Sequence, residues 1–203
     1  MSETFLAGAG PVSPRSVLAD RFVSRSLVTD VALVSAGALL TAAAAQLVVP
    51  LWPVPITGQT LAVLLVGSAL GAVRGSLAMV LYAALGLVGL PVFADGASGS
   101  SVLLGPTGGY IVGFVFAAAV VGWVAERAGD RRFLRAALSF AGGTVITFAF
   151  GLPWLAASLG LTLEQTLAGG LYPFIVGGIV KALVAAAVIP AAWWFADKSR
   201  ETR

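Results

Sequence analysis

Long apolar runs alternate with short polar stretches along this chain. Six runs stand out, at about 30–49, 59–73, 76–93, 108–125, 136–158 and 171–195. Each is rich in Ala, Leu, Val and Gly, and none alternates polar with apolar residues. A helix that crosses a bilayer needs about 20 mostly apolar residues, whereas a barrel strand alternates lipid-facing and lumen-facing positions. The pattern therefore predicts an all-α membrane protein with six transmembrane helices, the second of them short. Residues 1–29 carry Ser, Pro, Gly and three Arg with no apolar run of signal-peptide length, and read as a soft, partly disordered tail. Residues 30–197 form one membrane domain in this reading, and 198–203 a short tail. No internal repeat is evident.

Composition fits the pattern. The 203 residues are 59% hydrophobic and only 10% charged, against about 25% charged in soluble domains. Cys and His are both absent, so thiolate chemistry and the commonest general base and metal ligand are excluded. No metal site or cofactor is expected. The charges then give a topology. Of 12 Lys and Arg, 11 fall in polar stretches: Arg15, Arg21 and Arg25; Arg74; Arg127, Arg131, Arg132 and Arg135; Lys198, Arg200 and Arg203. In a six-helix arrangement all of these lie on one side. The opposite loops, about 50–58, 94–107 and 159–170, hold no Lys or Arg. The positive-inside rule then predicts both termini in the cytoplasm of a cell whose membrane the chain spans. The basic excess reads as a topology signal, with contact to anionic lipid second, and not as a nucleic-acid surface.

Lys181 is the remaining basic residue, alone in the run from Leu171 to Phe195. A charge at the centre of a membrane helix costs roughly 2.5–3.5 kcal/mol on insertion scales. Snorkelling is a poor answer. With Tyr172 and Trp193 taken as the aromatic-belt ends of this helix, Lys181 lies roughly 13 Å and 18 Å from them at 1.5 Å per residue. No Asp or Glu lies within the six runs beyond Asp30 at the edge of the first. A ligand-facing or cavity-facing role is the default for such a residue. Gly177 and Gly178 fall one turn toward the outside on the same helix. They either open space beside the amine or serve close helix packing.

The outer loops add candidates. Val49 to Gly58 holds Pro50, Pro53 and Pro55, which make it stiff. Trp52 in it either sits at the interface or caps a site. Gln59 starts the second helix and Gln46 ends the first, two polar groups at similar depth. Leu90 to Tyr110 is polar only in its middle, around Asp95, and apolar again at Val102 to Leu104. Such a loop is expected to dip into the membrane or fold over a cavity. The chain has no G-x-x-x-x-G-K-[ST] phosphate loop and no nucleophile–base constellation, so neither an ATPase nor an acyl-transfer enzyme is indicated.

Three motifs carry a resemblance. Pro53-Val54-Pro55-Ile56-Thr57-Gly58-Gln59-Thr60-Leu61, Gly86-Leu87-Val88-Gly89-Leu90-Pro91-Val92-Phe93-Ala94 and Leu104-Gly105-Pro106-Thr107-Gly108-Gly109-Tyr110 occur in this order. Together with the layout over about 30–195, they resemble the BioY family, the biotin-binding S components of energy-coupling factor (ECF) transporters. The resemblance implies biotin capture from outside, and partnership with a coupling transmembrane subunit and two ATPase subunits that hydrolyse ATP. It also implies reorientation in the bilayer to release the vitamin. The ligand-facing residues expected on this basis are Thr57, Gln59, Phe93, Asp95, Tyr110, Gly177, Gly178 and Lys181. Ala32 and Ala36, with Ser35 beside them, form the small-residue pair that the resemblance assigns to docking, although alanine is common enough here for the spacing to arise by chance. One stretch departs from the family pattern. Phe174-Ile175-Val176-Gly177-Gly178-Ile179-Val180-Lys181 has Val176 where the family has Pro and Gly178 where it has the Asp that partners the lysine. Asp95 is the candidate replacement. An S component for another small vitamin and a stand-alone secondary transporter are the competing readings; the latter favours paired repeats with broken helices, which are not seen here.

Overall fold

The computed structural model describes residues 17–127 and 130–201. Helix α1 (Leu27–Ala45) begins at Ser26, whose hydroxyl accepts the Thr29 N–H at 3.1 Å, and ends at Gln46. A two-residue antiparallel pair follows, β1 (Val48–Val49) with β2 (Ile56–Thr57), in the register Val48 to Thr57. Next come α2 (Gln59–Leu70), α3 (Ala72–Leu87), a short α4 (Ser100–Leu104), α5 (Gly108–Ala125), α6 (Phe133–Leu159), a short α7 (Leu163–Gly170) and α8 (Tyr172–Glu201). Helices α1, α5, α6 and α8 are long and apolar enough to cross a membrane, while α2 and α3 are apolar but shorter. The chain is a multi-pass, all-α membrane protein.

Helix α5 is the axis of the bundle. Of its membrane-length window 61% is buried, against 22% for each of the other three long helices. It packs on α6, α2 and α3. With lipid as solvent, apolar side chains gain little from burial, and close backbone approach between small residues does the packing. At Gly122 a Cβ would lie 2.3 Å from the Gly71 carbonyl carbon, so α5 meets the junction of α2 and α3 there backbone to backbone. Gly71 itself has φ +88°, a conformation that favours glycine, and it breaks the α2–α3 run. The Glu126 carboxylate at the end of α5 accepts the Ala72 N–H at 2.9 Å and so caps α3.

Several boundaries differ from the sequence reading. The first run ends at 45 instead of 49 because Val48 and Val49 pair with the hairpin. The third run ends at Leu87, and 88–93 joins the outer loop. Residues 198–201 continue α8 and form no separate tail. The expected soft tail is also corrected in part. Residues 1–16 lie outside the described residues, but Val17, Leu18 and Ala19 are buried, and a 3-10 turn at Leu18–Arg21 packs on α2 and α8. Ion pairs hold this segment down. Asp20 accepts from Arg74 at 2.8 Å and from Arg25 at 2.6 Å, and Arg74 reaches Asp30 at 2.5 Å. Burial pushes the Asp20 carboxyl up, but Arg25 and Arg74 outweigh it and hold the pKa at about 2.

The same end collects other polar groups. Ser68 donates to the buried Asp130 at 2.6 Å, and burial raises the Asp130 pKa although that bond opposes it. Trp193 is only 2% exposed, with Arg131 stacked at 4.1 Å and Arg21 at 5.3 Å. Its expected belt role is therefore wrong: the ring is covered by two guanidinium groups, and its neighbour Trp194 is the exposed one. Tyr172, at the other end, is exposed as a belt residue should be.

Candidate functional site

The end opposite the ion pairs is built from loops. The hairpin, the 88–107 loop and α7 converge there. Tyr110 on α5 donates to the Gly170 carbonyl at 2.9 Å, and Trp154 on α6 donates to the Gly105 carbonyl at 3.0 Å. Beneath these loops lies a cavity of about 220 Å³. Its lining comes from the hairpin, α2, the 93–107 loop, α5, α6 and α8. The loop expected to fold over a cavity does so, contributing Phe93, Ala94, Asp95 and Ala97 and, further on, Ser101, Val102, Pro106 and Thr107.

Six of the eight residues expected at a ligand meet here: Thr57, Gln59, Phe93, Asp95, Tyr110 and Lys181. Three of them, Thr57, Gln59 and Lys181, are tied by a polar relay across four elements. The Lys181 amine on α8 donates to the Thr57 carbonyl on β2 and, at 3.2 Å, to the Thr60 hydroxyl on α2. The Thr57 hydroxyl donates to Gln59 Oε1 at 2.6 Å, and Gln59 Nε2 donates to the Tyr82 hydroxyl on α3 at 2.6 Å. Each buried polar group thus has a partner, as burial in a low-dielectric interior requires. Among the described residues no ion pair involves Lys181. An ammonium has three N–H donors. Two are spent on Thr57 and Thr60, which leaves one for an occupant of the cavity.

Five aromatic residues stand in the walls: Phe93, Tyr110, Phe114, Phe148 and Phe174. Phe93 is 1% exposed and sits edge-on to Tyr82 with centroids 5.5 Å apart. It fits a notch at Gly86, where a Cβ would come within 2.0 Å of the ring. Tyr110, Phe148 and Phe174 form a second cluster, with centroid separations of 5.7, 6.4 and 5.8 Å. Phe114 and Ile111 complete this side from α5. Asp95 reaches the cavity from a turn in which its own backbone is left-handed, at φ 55°.

Gly177 and Gly178 do not line this cavity, which corrects the expectation placed on them. Gly178 borders an apolar groove between α6 and α8, where a Cβ would lie 3.8 Å from the Thr144 methyl, and Gly177 has open space where a Cβ would be. The helical face that Lys181 shares with the cavity is filled by Phe174, seven residues and two turns before it. Sequence reading missed Phe174, Phe148 and Thr60. The i−7 spacing would have found Phe174, and the i+3 step from Thr57 would have found Thr60. Phe148 lies in a helix that is apolar all round, where no face is marked. Trp52 does not line the cavity and is strongly exposed, matching the interfacial option.

The whole of this arrangement falls within a stretch that a family model matches. The BioY family model covers residues 15–198. The chain belongs to the BioY family. It is 38% identical over 143 residues to the biotin transporter BioY of Rhizobium etli, covering 66% of this chain and 75% of that protein. Against the biotin transporter BioY of Thermotoga maritima it is 38% identical over 140 residues, covering 69% of this chain and 81% of the relative. A solved structure, the S-component for biotin from an ECF-type ABC transporter, superposes with a TM-score of 0.71 at 25% identity, covering 83% of this chain and 94% of that one. The BioY chain described here therefore has the S-component fold.

Proposed function

We propose that this BioY chain captures biotin and carries it across the bacterial cytoplasmic membrane as the substrate-specific component of an ECF-type ABC transporter. One observation carries the reading beyond the family match: a cavity walled in part by Phe93, Tyr110, Phe114, Phe148 and Phe174 holds Lys181, which among the described residues has no ion pair and has one donor to spare. Biotin has a fused ring system with a neutral ureido group and an aliphatic chain ending in a carboxylate. Aromatic walls suit the rings. Lys181 supplies a donor to either the ureido carbonyl or the carboxylate, and the Asp95 carboxylate is an acceptor for a ureido N–H. Thr57 and Gln59 act mainly by holding Lys181 and the loop of β2 in place, while Phe93 and Tyr110 form walls.

All six apolar helices cross the bilayer in this proposal, α2 and α3 as short spans, with both termini cytoplasmic and the cavity opening outward. In support, Arg21, Arg25, Arg74 and Arg131 cluster at the end opposite the cavity loops. Docking on the coupling subunit uses Ala32 and Ala36 of α1, which are both exposed, as a small-residue helix contact requires. ATP hydrolysis belongs to partner subunits. The test is calorimetry of the purified protein with biotin and a panel of other water-soluble vitamins. Saturable heat with biotin alone is expected. Heat with a different vitamin and none with biotin would sink the biotin assignment and favour an S component of other specificity, to which the glycine at position 178 in place of the family's Asp points.

A further inference from the structure

Gln46, which ends α1, makes a set of contacts that the polar relay does not use. Its Nε2 donates to the Phe93 carbonyl at 3.1 Å and to the Ala42 carbonyl at 3.0 Å, and its Oε1 accepts the Gly96 N–H at 3.0 Å. The partners fix the orientation of the amide, because only its NH2 can donate to two carbonyls. One side chain thus grips both ends of the turn 93–96 and ties it to the end of α1. This turn carries Phe93, Ala94 and Asp95 into the cavity wall. Asp95 within it keeps a left-handed backbone, which a residue with a Cβ holds only when its surroundings impose it. The other described holds on the turn are different in kind. Gly96 N–H to the Phe93 carbonyl at 3.2 Å, shared with the Gln46 amide, Phe93 N–H to the Ala97 carbonyl and Ala97 N–H to the Ala94 carbonyl are internal to the loop, while Gly99 N–H to the Gly86 carbonyl and the Phe93 ring in its notch tie it to α3.

We infer that Gln46 is a positioning residue for ligand capture: its amide fixes the turn 93–96 over the cavity, and so sets how quickly a bound ligand leaves. The role rests on the biotin reading above only for the choice of ligand. Gln46 is exposed, so water competes for both bonds and the clamp is able to open. Loss of two such bonds is worth about a tenfold change in an equilibrium or an off-rate.

The experiment has two arms. The first follows amide hydrogen exchange in the ligand-free protein. In Gln46→Met, which keeps side-chain length and removes both polar atoms, exchange across 93–99 rises about tenfold while α5 is unchanged. The second arm measures biotin dissociation. In Gln46→Met the off-rate rises about tenfold. Gln46→Glu at pH 7.5 keeps an acceptor for the Gly96 N–H but has no donor for the Phe93 carbonyl, so exchange and off-rate rise by less, about threefold. Below about pH 4 its protonated form regains one, and the off-rate returns toward that of the wild type measured at the same pH. Unchanged exchange at 93–99 in both variants overturns the clamp. Raised exchange with an unchanged off-rate overturns its role in capture. Wild-type protein that binds no biotin refutes the functional reading instead, and the exchange arm then judges the clamp by itself.

Discussion

Replacing Lys181 with Met separates the energetics of the fold from those of the ligand. Two effects oppose each other in the empty protein. The substitution removes a charge whose placement in a membrane helix costs roughly 2.5–3.5 kcal/mol. It also strips the Thr57 carbonyl and the Thr60 hydroxyl of their donor, and an unpaired buried group costs about 1–3 kcal/mol. With two groups stripped, about 2–6 kcal/mol stands against the charge's cost, so the balance is near zero or unfavourable by a few kcal/mol, and the thermal midpoint of Lys181→Met should stay within a few degrees of the wild type or fall modestly. Ligand binding has no such offset. The spare N–H makes a charge-assisted hydrogen bond worth about 1.5–3 kcal/mol, and its loss weakens binding about 10- to 150-fold. Calorimetry for affinity and a thermal-shift assay for stability, on the same preparation, read the two sides. Equal biotin affinity in wild type and Lys181→Met would refute the assignment of the amine to the ligand. Lost affinity with a collapsed midpoint would show instead that the lysine is a structural donor.

Two further outcomes follow from the packing. Gly86→Leu places side-chain atoms where the Phe93 ring sits, since even a Cβ would come within 2.0 Å of it; overpacking of this kind costs about 1–3 kcal/mol, and biotin affinity should fall about tenfold or more, measured by the same titration. At the opposite end, the depressed Asp20 pKa contributes stability that is complete above the ordinary aspartate pKa of 3.8 and is lost as pH falls toward 2. Arg74→Ala weakens that contribution, so thermal midpoints of wild type and variant should converge as pH drops from 5 toward 2, and a constant difference across that range would contradict the ion-pair account.

Much of the fold was legible because lipid simplifies the code. A run of 20 apolar residues has few alternatives to a helix, and one lysine in such a run marks itself. The outer loop was legible as a cover because its composition turns apolar again at Val102 to Leu104, and these positions do lean over the cavity through Val102. What stayed hidden shares one physical cause. Within helices that are apolar all round, no polar face announces which side looks inward. Phe148 therefore could not be told from its neighbours, and Gly178 was placed on the cavity side when it borders the α6–α8 groove. Trp193 misled for a related reason: an aromatic residue near a helix end reads as an interface marker, and only the approach of Arg21 and Arg131 from distant segments shows that it is covered. Gln46 was legible as a polar group at the right depth, but its partners lie 47 and 50 residues away in sequence.

The most direct test of the central claim is a biotin-bound structure of the protein that resolves the Lys181 amine. The account predicts biotin beneath the 93–107 loop, packed among Phe93, Tyr110, Phe148 and Phe174, with the amine of Lys181 about 3 Å from a ligand oxygen. Biotin bound outside this cavity, or within it with the Lys181 amine out of hydrogen-bonding reach, would contradict it.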